Sequence, residues 1–219
     1  MIKLLTVADG ITILNATFGF LAILLLFTNE LRISFSLILL ALLADGLDGI
    51  VARKRGKGKL GEFLEPMADL TSLSVAPMVF VYVTYHGTVN QFLFIAFGAI
   101  VLFFLCSLIR LGSFHILKDD RCFVGLPASA STIIILVAAF LHFDIVLNII
   151  LLIVLSLLMV SPIRFPKPKI NINSVAAILI LGTIILGDFL QGVAPLILLV
   201  ALICYIIFGP VYLRTSTKK

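Results

Sequence analysis

The sequence predicts an all-α fold, a polytopic transmembrane helix bundle of about eight spans with both termini in the cytoplasm. Three observations lead there. Of 219 residues, 62% are hydrophobic and 12% charged, against roughly 45–50% and about 25% in a soluble domain, so too little charge is present to cover a soluble globule. Apolar runs of about 20 residues, enough to cross a bilayer as a helix, recur along the whole length. The basic residues segregate to one set of connecting loops.

Taken in order, the spans fall at roughly 8–28, 33–53, 62–85, 91–116, 124–141, 145–162, 173–187 and 193–213. Asn29-Glu30 makes a brief polar turn between the first two. His86-Gly87-Thr88 breaks the chain after the third, and the stretch Pro162 to Pro168 breaks it after the sixth. No hydrophilic segment exceeds a loop, so residues 1–219 are expected to form a single membrane domain. The first apolar run lacks a convincing small-residue cleavage site and is expected to be retained.

Lys3, Arg53, Lys54, Arg55, Lys57, Lys59, Lys118, Arg121, Arg164, Lys167, Lys169, Arg214, Lys218 and Lys219 all fall on the N-terminal side of an eight-span map, 14 of the 16 basic residues. Only Arg32 falls on the other side, and Arg110 lies inside the fourth span. The positive-inside rule puts the loaded side in the cytoplasm, and an odd number of spans would destroy the segregation. Three scattered cysteines, Cys106, Cys122 and Cys204, have neither disulfide-framework nor zinc-type spacing. The 18 Phe lie within apolar runs rather than beside a basic face, so no nucleic-acid partner is expected.

The carboxylates concentrate at one place. Asp45, Asp48, Gly49 and Ala52 recur at i, i+3, i+4 and i+7 at the end of the second span, one face of a helix. Gly61, Glu65 and Asp69 recur at i, i+4 and i+8 at the start of the third. A short basic loop joins the two, so both acidic faces can meet just inside the cytoplasmic boundary. On the insertion scale a mid-span carboxylate costs about 2.5–3.5 kcal/mol, and four converging anions repel one another. Hard divalent cations such as Mg²⁺, Mn²⁺ or Ca²⁺ would offset that charge, two of them matching four carboxylates. Small Gly49 and Ala52 would let a phosphate approach the backbone, with Arg53 adding positive charge.

The spaced pattern Asp45-x-x-Asp48-Gly49-x-x-Ala52-Arg53 followed by Gly61-x-x-x-Glu65-x-x-x-Asp69 resembles the signature of the CDP-alcohol phosphatidyltransferases. Two positions depart from it. The third acid is Glu65 rather than Asp, and seven residues separate Arg53 from Gly61 where about eight are usual in that pattern. Thr71 to Pro77, Arg110-Leu111, Phe123 to Ala128 and Asp9 to Asn15 are similar to the integral-membrane phosphatidylserine synthase subgroup of that family. The resemblance implies two divalent metals, Mg²⁺ or Mn²⁺, held by Asp45, Asp48, Glu65 and Asp69, with Asp69 as the base. It also implies a CDP-lipid site containing Thr12, Asn15, Asp45, Gly49, Ala52 and Arg53. Taken without the resemblance, a lone Asn in a span is more often a helix–helix hydrogen bond.

The expected activity is transfer of a phosphatidyl-type group, diacylglycerol or archaeol phosphate, from a CDP-lipid to the hydroxyl of L-serine, with release of CMP at the cytoplasmic face. Inositol phosphate and glycerol phosphate are the alternative acceptors. A transporter would spread its acids through the membrane depth, and a catalytically inactive relative would release no CMP. Arg110, costly inside a span unless it snorkels, pairs or faces water, offers a planar fork for the serine carboxylate. The expected partners are CDP-lipid, serine, membrane lipids and, by resemblance, a second copy in a homodimer.

Overall fold

The computed structural model describes residues 5–56, 58, 60–86, 93–113, 122–168, 170–187 and 192–216. Helices dominate them, and the chain divides into two compact units, residues 1–87 and 88–219. Lys57, Lys59, Gly87, Thr88, Lys118 and Arg121, which entered the loop and topology expectations, lie outside the described residues, as do Lys3, Lys169, Lys218 and Lys219.

In the first unit α1 spans Val7–Leu26. Its start is fixed by a capping box: Thr6 Oγ1 accepts from the Asp9 amide at 3.3 Å, and Asp9 Oδ2 accepts from the Thr6 amide at 2.8 Å. The expected polar turn follows, with Asn29 in the left-handed region at φ 60°, a conformation Asn tolerates better than most residues. Helix α2, Leu31–Arg55, then returns along α1, and Ser34 Oγ donates to the Ala22 carbonyl at 3.0 Å across the hairpin. Ala22, Leu26, Phe35, Ile38 and Leu39 are buried in this seam.

The third rod is not one regular helix. Helix α3, Gly61–Asp69, runs into a π-turn at Leu70–Val75 and then α4, Ala76–Tyr85. The Ala76 amide reaches back five residues to the Thr71 carbonyl. Pro77 explains the location, because in an α-helix its ring would press on the carbonyl four residues earlier, that of Leu73. Widening the turn just ahead of the proline makes room. Helix α1 packs along all three pieces of this rod, and α2 along the π-turn and α4, with the Phe35 and Phe80 rings 6.2 Å apart.

The second unit contains α5 (Leu93–Ser113), α6 (Ala128–Phe140), α7 (Ile145–Met159), α8 (Ile170–Leu186) and α9 (Val193–Ser216). Helix α6 is apolar on every side, and its run Ala130–Ala139 is wholly buried, as such a helix must be. Two three-residue strands, β1 (Cys122–Val124) and β2 (Arg164–Pro166), pair antiparallel with Phe123 opposite Phe165. The sequence reading missed them, taking Val124 into the fifth span and 162–168 as irregular chain. At three residues each they show no period-2 pattern, and Pro127 delays the helix start to Ala128.

Among the described residues the helices form eight rods, counting the third as one. Five of them, at Val7–Leu26, Leu31–Lys54, Gly61–Tyr85, Phe94–Ser113 and Val193–Leu213, are long and apolar enough to cross a membrane. Those at Ala128–Phe140, Ile145–Met159 and Ile172–Leu186 are shorter. The protein is an all-α multi-pass membrane protein carrying one small β-ribbon.

Candidate active site

The acidic residues are presented by two helix ends of the first unit. Asp45 and Asp48 occupy successive turns near the end of α2, and Glu65 and Asp69 successive turns of α3. Asp48 and Asp69 are buried, at 4% and 8% exposure, whereas Asp45 and Glu65 are half-buried. The carboxyl groups of Asp45 and Asp69 lie within hydrogen-bonding range of each other, with Asp48 near enough to repel Asp69. Carboxylates this close require a cation or a shared proton between them. Gly49 and Ala52 are half-buried on the same stretch of α2, and Arg53 is exposed at its end.

Helix α1 supplies the hydrogen bonds that hold two of these acids. Thr12 Oγ1 donates to Asp48 Oδ2 at 2.6 Å, the short distance of a charge-assisted bond, and also lies 3.2 Å from the Ala8 carbonyl. Asn15 Nδ2 donates to Asp69 Oδ1 at 2.9 Å. The amide must face this way round, since its oxygen would be repelled by the carboxylate. Asn15 Oδ1 is left buried with no donor among the described residues, an arrangement that typically costs about 1–3 kcal/mol. Asn15 therefore makes the helix–helix hydrogen bond weighed in the sequence, and it makes it to the acid itself.

The structure brings together Thr12, Asn15, Asp45, Asp48 and Asp69. It does not close a cluster of three acidic, histidine or cysteine side chains at metal-ligand distance among the described residues. Glu65 stands one turn before Asp69 on α3. The donor set nonetheless suits a hard divalent cation, because Mg²⁺ in particular takes one or two carboxylates and completes its shell with water and substrate phosphates.

Sequence reasoning missed Gly19. With Thr12 and Asn15 it forms an i, i+3, i+7 set on one face of α1, and a β-carbon there would meet the backbone of Ser72 in the π-turn. The signal was the helical spacing of small and polar residues within an apolar run.

Arg110 belongs to the second unit and is 6% exposed. Its Nε donates to the Leu126 carbonyl at 3.3 Å, so the side chain is packed and paired within the protein rather than snorkelled. Tyr205 lies close enough to interact with it electrostatically and donates its hydroxyl to the Pro166 carbonyl at 3.0 Å. The carbonyl of Leu126 is placed by Gly125, at φ +78°, whose amide donates to Ile163 O at 2.7 Å.

Known proteins resemble this chain over most of its length. The family model described as CDP-alcohol phosphatidyltransferase matches residues 5–208. The CDP-diacylglycerol–serine O-phosphatidyltransferase of Methanocaldococcus jannaschii is 37% identical over 166 residues, 75% of this chain and 76% of that one. The archaetidylserine synthase of Methanothermobacter thermautotrophicus is 33% identical over 165 residues, 73% and 69% of the two chains. A Helicobacter pylori CDP-diacylglycerol–serine O-phosphatidyltransferase is 31% identical over 196 residues, 79% and 76%. With two buried carboxylates held from α1 and a match running almost from end to end, the chain belongs to the CDP-alcohol phosphatidyltransferase family.

Proposed function

We propose that this protein transfers a phosphatidyl-type group, diacylglycerol or archaeol phosphate, from a CDP-lipid to the hydroxyl of L-serine and releases CMP. The observation that carries the proposal is the meeting of Asp45 and Asp69, with Asp48 beside them, in a chain similar to serine transferases. Family members generally use divalent metal ions, and two Mg²⁺ or Mn²⁺ ions fit the charge of Asp45, Asp48, Glu65 and Asp69. When bound, such ions neutralise the pyrophosphate and the charge developing on departing CMP.

The chain's own residues supply the rest. Asp69 accepts the proton of the serine hydroxyl as its oxygen bonds to the lipid-bearing phosphorus, and the bond from that phosphorus to the CMP oxygen breaks. Asn15, bonded to Asp69 Oδ1, keeps the base aimed. Gly49 and Ala52 admit the phosphates to the α2 surface, and Arg53 adds charge beside them. Arg110 binds the serine carboxylate through its planar fork. Eight crossings with cytoplasmic termini put the acids at the cytoplasmic face, where cytidine is water-borne while the lipid chains stay in the bilayer. Residues 1–219 work as one catalytic membrane domain, assembled as a homodimer.

The test uses purified full-length protein, CDP-diacylglycerol or CDP-archaeol, labelled serine, and Mg²⁺ or Mn²⁺. CMP release that requires both serine and metal is expected. Release that persists in EDTA, or that prefers inositol phosphate or glycerol phosphate, overturns the proposal.

A further inference from the structure

We infer that Thr12 and Asn15 are positioning residues for the acids, acting through Asp48 and Asp69 and not by contact with the nucleotide. The inference rests on the proposed role of those acids as metal ligands. Its first ground is burial: Asn15 is 0% and Thr12 4% exposed, so both polar heads are enclosed among the protein's own groups. The second is geometry. Thr12 Oγ1 lies 2.6 Å from Asp48 Oδ2 and Asn15 Nδ2 lies 2.9 Å from Asp69 Oδ1, so each polar head is directed at a carboxylate.

The two acids sit on different helices, α2 and α3, yet are held from one. Positions three apart on a helix are about 5–6 Å apart at their β-carbons. Helix α1 therefore acts as a ruler that fixes the separation of Asp48 from Asp69 before any cation arrives. Without it, their mutual repulsion would spread them. The span suits a site of one or two cations, since paired catalytic metals stand about 3.5–4 Å apart. The buried, donorless Oδ1 of Asn15 points the same way, because a leucine would fill the space with no polar atom to satisfy and no hold on Asp69.

The experiment measures Mn²⁺ binding to the full-length protein in detergent, without nucleotide, by electron paramagnetic resonance. It then measures the CDP-diacylglycerol KM at saturating Mn²⁺. Thr12→Val and Asn15→Leu are expected to weaken Mn²⁺ binding by about 10-fold or more, the usual effect of removing a hydrogen bond to a metal ligand. Thr12→Ser, which keeps the hydroxyl, restores most of that affinity. At saturating Mn²⁺ the KM returns to the wild-type value, while kcat stays low in Asn15→Leu because Asp69 is no longer aimed. Mn²⁺ affinity unchanged in Thr12→Val and Asn15→Leu overturns the inference, whether KM stays raised, as for a nucleotide contact, or does not move, as for a structural hydrogen bond. Wild-type protein that binds no Mn²⁺ instead overturns the ligand assignment itself. Should either variant fail to melt cooperatively, Thr12→Ala or Asn15→Ala reads the same loss.

Discussion

Gly19 and Ser72 meet backbone to backbone. A β-carbon at position 19 would lie 2.7 Å from Ser72 Cα and 2.8 Å from its Cβ. Gly19 is one turn beyond Asn15, and Ser72 three residues beyond Asp69, so this contact seats α1 against the rod that carries the base. Gly19→Ala is expected to force the helices apart, lowering stability by about 1–3 kcal/mol and depressing kcat as the Asn15–Asp69 bond stretches. Gly98→Ala in α5, where an added methyl meets nothing within 4 Å, is the control and should be neutral or slightly stabilising. Thermal melting of the purified variants, alongside CMP release, checks both.

The acids should separate into two phenotypes. Asp69→Asn is expected to remove the base, lowering turnover by about 10²–10⁴-fold while keeping much of the CDP-lipid affinity. Asp45→Asn and Asp48→Asn should weaken both metal and nucleotide binding. Glu65→Asp, restoring the usual third acid of the signature, should keep or raise activity. Metal titration and CDP-lipid binding by each variant distinguish these outcomes.

Arg110→Lys should raise the serine KM about 10-fold or more, on the order of 1.4 kcal/mol, with little change for the CDP-lipid. A lysine has no fork with which to bond the Leu126 carbonyl and a carboxylate together. An unchanged serine KM would leave Arg110 as a packing residue bonded to Leu126.

Gly125→Ala is expected to be among the most destabilising single-methyl changes in the second unit. The position combines φ +78° with a collision between the new β-carbon and the Met159 carbonyl oxygen, so strain and clash act together. A drop in melting temperature larger than that of Gly98→Ala is the expected result.

Orientation is open to direct labelling. Single cysteines at positions 57 and 167, in a background lacking the three native cysteines, should react with impermeant reagent only from the cytoplasmic side. Those at positions 88 and 142 should react only from outside. A shared side between the two pairs would break the eight-span map.

Helix positions were legible because apolar runs of spanning length leave a signal tens of residues long, and the acidic face because Asp45, Asp48, Glu65 and Asp69 keep helical spacing. The role of α1 was half legible. Resemblance singled out Thr12 and Asn15, but one sequence carries no distance, so their direction toward Asp48 and Asp69 needed coordinates. The β-ribbon was hidden because Cys122–Val124 and Arg164–Pro166 are too short to show a period and pair across 42 residues. The π-turn was hidden too, since Leu70–Val75 reads as ordinary helix and only Pro77 hints at the break.

The π-turn lets the rod hold one residue more without turning Asp69. Each residue of an α-helix advances the chain by about 100° around its axis. The wide turn admits extra chain between the acidic end of the rod and the half that ends at Tyr85. A wide turn takes roughly one residue more than an α-turn to go round the axis, so deleting one residue between Leu70 and Val75 would restore a regular helix with Asp69 facing nearly as before. Single deletions in this stretch should therefore be better tolerated than single deletions within α4, each of which would swing the part beyond it by about 100°.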